Sequence, residues 1–157
     1  CSGRGLPRIH HEQEKLMLMI QFNLDGPVKP KGRPRFSKVG GFVRTYTDKK
    51  TLDYESLVRE AAIQALGSSD TLKTPIAVYL LFRLPIPQSY SKKRTEACLD
   101  GSEMPGKKPD IDNLAKSVLD GMNGVIYKDD AQIVNLHAVK VYSTVPGVNV
   151  TVREVLP

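Results

Sequence analysis

The sequence predicts a two-layer α/β domain, α+β in its order of elements: one mixed β-sheet with two main helices packed on it. Three observations lead there. Apolar residues alternate with polar ones near both ends of the chain, at 18–24 and again at 132–143 and 148–155, the pattern of strands. Two segments, about 48–66 and 112–122, carry apolar residues at helical spacing instead. The length of 157 residues fits a single domain, and an apolar content of 40% supplies its core.

Taken in order, residues 1–16 read as a tail foreign to the domain, left by expression or by upstream read-through, with the domain at 17–157 and its natural start at Met17 or Met19. The stretch is polar and punctuated by Gly and Pro, and His10 and His11 have no third ligand beside them. In 18–24, Ile20, Phe22 and Leu24 alternate with Gln21 and Asn23, and Asp25-Gly26-Pro27 ends the strand. Pro27, Pro30 and Pro34 hold the next stretch extended. Arg35-Phe36 and Phe42-Val43 flank Gly40-Gly41, which reads as a hairpin. Its aromatics Phe36, Phe42 and Tyr46 could stack on exposed bases, but Phe42 is expected to anchor the hairpin to the core.

Thr47 or Asp48 can cap a helix that runs to about Leu66, with Tyr54, Leu57, Val58, Ala61, Ala62 and Ala65 as its apolar stripe and Gly67 at its C′ position. Glu55 and Glu60 are expected to be surface charges near Arg59. Residues 76–84 read as a central strand with both faces covered. Residues 85–106 form a long, mostly irregular loop, a length usually tied to function or mobility. Within it Ser91 can cap a short helix ending near Leu99. The strand at 132–143 contains His137, expected to be structural or exposed. The strand at 148–155 closes the sheet.

Between these lies the stretch with the chemistry, KKPDIDNLAKSVLDGMNGVIYKDDAQIV, residues 107–134. It holds five aspartates: Asp110, Asp112, Asp120, Asp129 and Asp130. Pro109 biases its predecessor away from helical backbone, so Asp110 and Asp112 are expected to share a face of an extended entry. Leu114, Ala115, Val118, Leu119 and Met122 then form a helical stripe, while Asp112, Lys116 and Asp120, four apart, line a neighbouring face. Gly121 and Gly124 weaken the helix end. Val125-Ile126-Tyr127 reads as a short strand that Asp129-Asp130 ends. The acids are open to two readings. As N-caps and turn residues they are structural. As a cluster they need a cation: two carboxylates ~4 Å apart repel by roughly 4 kcal/mol at an effective dielectric of ~20, and hard oxygen ligands suit Mg²⁺ or Mn²⁺.

This stretch resembles the signature of the RusA family of Holliday junction resolvases of phages and prophages: a basic residue, then D-[LI]-D-N-L-x-K, a helix containing an apolar-Asp pair, a turn, and D-D-x-Q-[IV]. The upstream KPKGRPRF and GFVRTYT are similar to the N-terminal part of many phage-type members. The resemblance covers roughly Met17 to the C-terminus and implies a RusA-like fold. It implies that the essential acids are Asp110, Asp112 and Asp130 and the functional lysine is Lys116, with Asp120 and Asp129 matching further acids. The spacing from the DxDN box to the acidic pair is one residue shorter than in the best-known member, which leaves Asp129 or Asp130 as the third acid. It also implies Mg²⁺ or Mn²⁺ held by Asp110, Asp112, Asp130 and Asp129, a four-way DNA junction as substrate, paired symmetric nicks, a role in recombination and repair, and a homodimer.

Charge agrees with a nucleic-acid partner. The chain carries a net +6. Lys29, Lys31, Arg33, Arg35, Lys38, Arg44, Lys49 and Lys50 face Asp48 as the lone acid between 29 and 50, so the rest of the chain is slightly acidic. Lys92, Lys93 and Arg94 form a second basic group, and Lys107 and Lys108 lead into the acids. Cationic arms neutralise phosphates. All of these residues except Lys49 and Lys50 are candidate DNA contacts. Two cysteines, one in the tail, indicate no disulfide framework and suit a reducing cytoplasm. No apolar run reaches the ~18–20 residues of a membrane span, and no signal peptide is evident. The absence of a Gly-rich phosphate loop, a Ser-His-Asp set and paired-Cys zinc ligands argues against a nucleotide cofactor, a serine hydrolase and a zinc finger. Two alternatives remain: a non-catalytic DNA-binding module, and a nuclease acting on flaps or forks.

Overall fold

The computed structural model describes residues 18–156. The expectations for residues 1–16 and for a start at Met17 lie outside that range. The elements are β1 (Met19–Asp25), β2 (Arg35–Val39), β3 (Phe42–Tyr46), α1 (Lys49–Leu66), β4 (Ile76–Pro85), α2 (Lys92–Asp100), α3 (Ile111–Met122), a single 3-10 turn (Asp130–Gln132), β5 (Ile133–Ser143) and β6 (Gly147–Glu154). Four strands form one mixed sheet in the order β1-β6-β4-β5, and β2 and β3 pair only with each other. β4 and β5 run parallel, while β1 and β4 flank β6 antiparallel. The parallel pair is joined through α2 and α3, the crossover that parallel neighbours require. The result is the expected two-layer α/β domain, with α1 and α3 packed on the sheet.

Strand alternation sets where the core lies. Ile76, Val78, Leu80, Phe82 and Leu84 of β4 and Val148, Val150 and Val152 of β6 are buried. They meet Tyr54, Val58 and Ala62 of α1 and Leu114, Ala115, Val118 and Met122 of α3 in one cluster. Two sequence expectations change here. β4 is central but not covered on both faces: Tyr79, Leu81 and Arg83 point away from the helices and stay half-exposed. The final strand does not close the sheet; β6 lies inside it, and β5 is an edge with Val134 and Leu136 exposed.

Val125-Ile126-Tyr127 forms a turn rather than a strand, tied by isolated bridges at Tyr127. All three side chains are buried. Burying each one fully is worth about 1.5–3 kcal/mol, more than the ~1 kcal/mol spanned by strand propensity, so packing decides. In α1, Leu57 drops out of the apolar stripe and is exposed. Gly67 ends the helix at φ 56°, its N–H donating to the Ile63 carbonyl. Ser91 caps α2 as expected, its hydroxyl accepting from the Arg94 N–H at 3.2 Å.

Gly121 is buried where α1 and α3 touch. A Cβ there would stand 2.7 Å from Val58 Cγ1 and 3.0 Å from the Glu55 carbonyl. The glycine that weakened the helix on paper is what lets the two helices approach.

Candidate active site

The helix α3 begins at Ile111, so Asp110 sits at its N-cap in extended backbone and Asp112 lies inside the first turn. The two acids therefore do not share an extended face as the sequence suggested. Asp110 holds the N-cap position, yet its carboxylate makes no capping hydrogen bond. Both side chains are exposed, and among the described residues no hydrogen bond or ion pair engages either carboxylate. The approach to them is held from below: Lys140 of β5 donates from Nζ to the Lys107 carbonyl at 2.9 Å and the Pro109 carbonyl at 3.0 Å.

Lys116 follows one turn after Asp112 and is well exposed, 3.9 Å from Asp120. Asp120 is half-buried and belongs to a different arrangement. Lys31 reaches from the basic arm to pair with Asp120 at 2.9 Å and with Glu55 of α1. Burial lowers the Lys31 pKa, but its bonds to Glu55 and Asp120 outweigh that and leave the ammonium above its usual range. The arm is stitched to the same helix by its backbone: Lys31 N–H donates to the Asn113 carbonyl, and Ser117 Oγ donates to the Lys29 carbonyl. Glu55 is thus not a solvated surface charge. The helical spacing that put it beside Arg59 carried no sign of a lysine arriving from 24 residues upstream.

The acidic pair divides its labour. Asp129 is the N-cap of the 3-10 turn: its carboxylate accepts from the Ala131 N–H at 3.0 Å, and Gln132 Oε1 accepts from the Asp129 N–H at 2.9 Å. That backbone bond, together with one from Asp130, holds the Asp129 carboxyl below its ordinary range. Asp130 moves the other way. Its hydrogen bond with Asp129 raises it first, slight desolvation and the Asp129 charge add to this, Lys116 pulls it back, and Asp120 adds repulsion. Gln132 Nε2 also donates to the Leu72 and Thr74 carbonyls. The signal for this clamp was present in the sequence, since D-x-x-Q is a capping-box spacing.

Among the described residues, no three Asp, Glu, His or Cys side chains are gathered into a metal-ready group. The donors themselves fit a hard cation. They are carboxylates only, two of them exposed and uncommitted, and a third sits beside a like charge that a cation would relieve.

The basic residues separate as well. Lys29, Arg33, Arg35, Lys38 and Arg44 are exposed, as are Lys92, Lys93, Lys107 and Lys108. Arg94 is committed: it grips Glu103 through Nε and Nη2 at 2.7–3.0 Å and lies 3.7 Å over the Tyr90 ring. Beside Asp110, Tyr90 and Tyr142 line a cavity of about 340 Å³ together with Lys107, Lys108 and Pro109.

An Asp-x-Asp-Asn opening to a helix of the core, a lysine one turn on, and an Asp-Asp-x-Gln turn after that helix form one continuous pattern. Residues 25–153 match the family described as Endodeoxyribonuclease RusA. The chain is a member of the RusA family. It is also 37% identical over 139 residues to "Uncharacterized protein YqaN" of Bacillus subtilis (strain 168), across 87% of this chain and 96% of that protein. RusA proteins are endodeoxyribonucleases that resolve Holliday junctions, so the RusA match places the free acids, Lys116 and the exposed cations in a nuclease domain. Among the described residues, no helix is long and apolar enough to cross a membrane.

Proposed function

We propose that this RusA-family chain is a divalent-metal-dependent endodeoxyribonuclease that nicks two symmetry-related strands of a four-way DNA junction, in recombination and repair. One observation carries the reading. Structural duty falls on Asp129, which caps a turn, and on Asp120, which pairs with Lys31. Asp110, Asp112 and Asp130 keep solvent-facing carboxylates. Mg²⁺ or Mn²⁺ would be held by these three. When bound, such a cation supplies Lewis-acid polarisation of the scissile phosphate.

The protein's own groups do the rest. Lys116, exposed beside Asp112, carries a positive charge to where negative charge develops on the phosphate. Lys107 and Lys108 flank Asp110 and hold the DNA backbone near it. Lys140 fixes the loop that presents Asp110. A junction with two-fold symmetry calls for two related sites, which a symmetric homodimer supplies.

The test is cleavage of a synthetic mobile four-way junction with Mg²⁺, with Mn²⁺ and with EDTA. Wild type should give metal-dependent paired nicks. Asp110→Asn and Asp130→Asn should each lose at least ~100-fold in rate while still binding, since even outer-shell partners of a metal are worth about 10–100-fold. Asp129→Asn should retain most activity, because Asn caps as well as Asp. Tight binding without cleavage in wild type would establish a binding module instead. Preferential cleavage of flaps or forks would move the substrate.

A further inference from the structure

We propose that the β2–β3 hairpin is a base-stacking arm, and that the face bearing Arg35, Phe42, Arg44 and Tyr46 takes DNA bases unstacked at a branch point. The ligand class rests on the DNA reading above; cleavage is not needed for it. The register pairs Arg35 with Tyr46 and Ser37 with Arg44. Directly opposed residues of an antiparallel pair share a face, and Phe42 lies two positions from Arg44 on the same side. Two guanidinium groups and two aromatic rings thus alternate on one side of a ribbon, with Phe36, Lys38, Val43 and Thr45 on the other.

These rings anchor nothing. The hairpin is a separate two-stranded sheet, and every residue of β3 is exposed. Phe42, expected from sequence to pin the hairpin to the core, is 77% exposed, and Tyr46 is 48% exposed. A lone two-stranded ribbon is marginal in water. An exposed apolar patch set among cations marks a surface waiting for a partner. At the tip, Gly40 and Gly41 take φ 59° and 82°, the two-residue turn that needs positive φ twice, and a Cβ on either would meet nothing within 4 Å. The tip is narrow and unobstructed.

Charge identifies the occupant. Residues 35–46 hold Arg35, Lys38 and Arg44 and no acid. Two copies joined by this face would bring four guanidinium groups together, which disfavours a second chain. A polyanion with accessible flat faces satisfies both the cations and the rings. A continuous duplex hides those faces in its stack, whereas a branch point exposes them.

The chain contains no Trp, so Phe42→Trp installs a single reporter outside the core. The experiment saturates this variant with an immobile four-way junction in EDTA, with saturation followed by anisotropy of a labelled junction, and repeats it with a linear duplex of equal length. Junction should quench the emission by about two-fold or more and duplex much less. In parallel, Phe42→Ala with Tyr46→Ala should weaken junction binding about 5- to 100-fold per lost stack, with duplex affinity and the core melting midpoint unchanged. Silent emission at saturation, equal quenching by both DNAs, or an emission shift on concentrating the protein without DNA would each overturn the proposal; the last would assign the face to a second copy. Quenching by a junction that is never cleaved in Mg²⁺ would keep the arm and remove the nuclease. Metal-dependent cleavage with silent emission would do the reverse.

Discussion

Lys31 shows how a single residue can be misjudged from its neighbours in the chain. In sequence it is one of eight cations between residues 29 and 50. In the fold it is the cation between two carboxylates, Glu55 at 18% side-chain exposure and Asp120 at 24%. Removing it leaves both acids facing each other at a helix–helix seam. Exposed ion pairs are worth about 0–1 kcal/mol and breaking buried ones costs about 3–5, so Lys31→Ala at this half-buried site is expected to cost about 1–2 kcal/mol in urea denaturation. The acids of the motif were legible by type and order, but their division of labour was not. Whether Asp110 spends its carboxylate on a cap, or Asp129 does, depends on rotamer and turn geometry that spacing alone leaves open. His137, expected to be structural or exposed, lies exposed on β5, its ring 6.2 Å from that of Tyr79.

Elements were read more accurately than residues where one pattern ran long enough. Both main helices and the strands β1, β4 and β6 appear where the pattern put them, because each turns one regular face to the core, while β5 also appears and the hairpin was legible from its Gly40-Gly41 turn. The short run 125–127 failed because a three-residue window cannot separate a strand from a buried turn. Helix packing was invisible for the same local reason: nothing in the sequence says that Gly121 faces Val58. Gly121→Ala should overpack the α1–α3 seam and cost about 1–3 kcal/mol, seen as a lower urea midpoint at constant slope. The loop after α2 carries its own pH response. Arg94 holds the Glu103 carboxyl below the ordinary value of 4.5. A depressed acid stabilises the fold above its unfolded pKa, and that stabilisation is lost as pH falls through the lower folded one. The gap in melting midpoint between wild type and Glu103→Gln should therefore be widest above about pH 4.5 and close on acidification.

At the scale of the molecule, charge and topology act together. The basic arm crosses α3 at Asn113 and Ser117 before it turns into the hairpin, so cations further along the arm are carried past the acidic site on a fixed stalk. Log affinity for DNA against log salt should flatten by about 0.9 for each phosphate contact removed. Lys38→Ala is expected to show that change and Lys31→Ala to leave the slope alone, since its charge is already spent inside the protein. An unchanged slope across Lys38, Arg35 and Arg44 variants would retire the arm as the DNA-binding surface.

The pairing of β1 with β6 has a further result. Glu154 N–H donates to the Leu18 carbonyl at 3.2 Å, and the Val155 N–H to the Pro75 carbonyl at 2.8 Å. The first and last strands of the domain therefore begin and finish side by side. A domain with neighbouring ends can be circularly permuted, or seated whole within a loop of a host protein, without stretching its sheet. In such a chimera both junctions would leave the nuclease domain from the one spot beside Pro75.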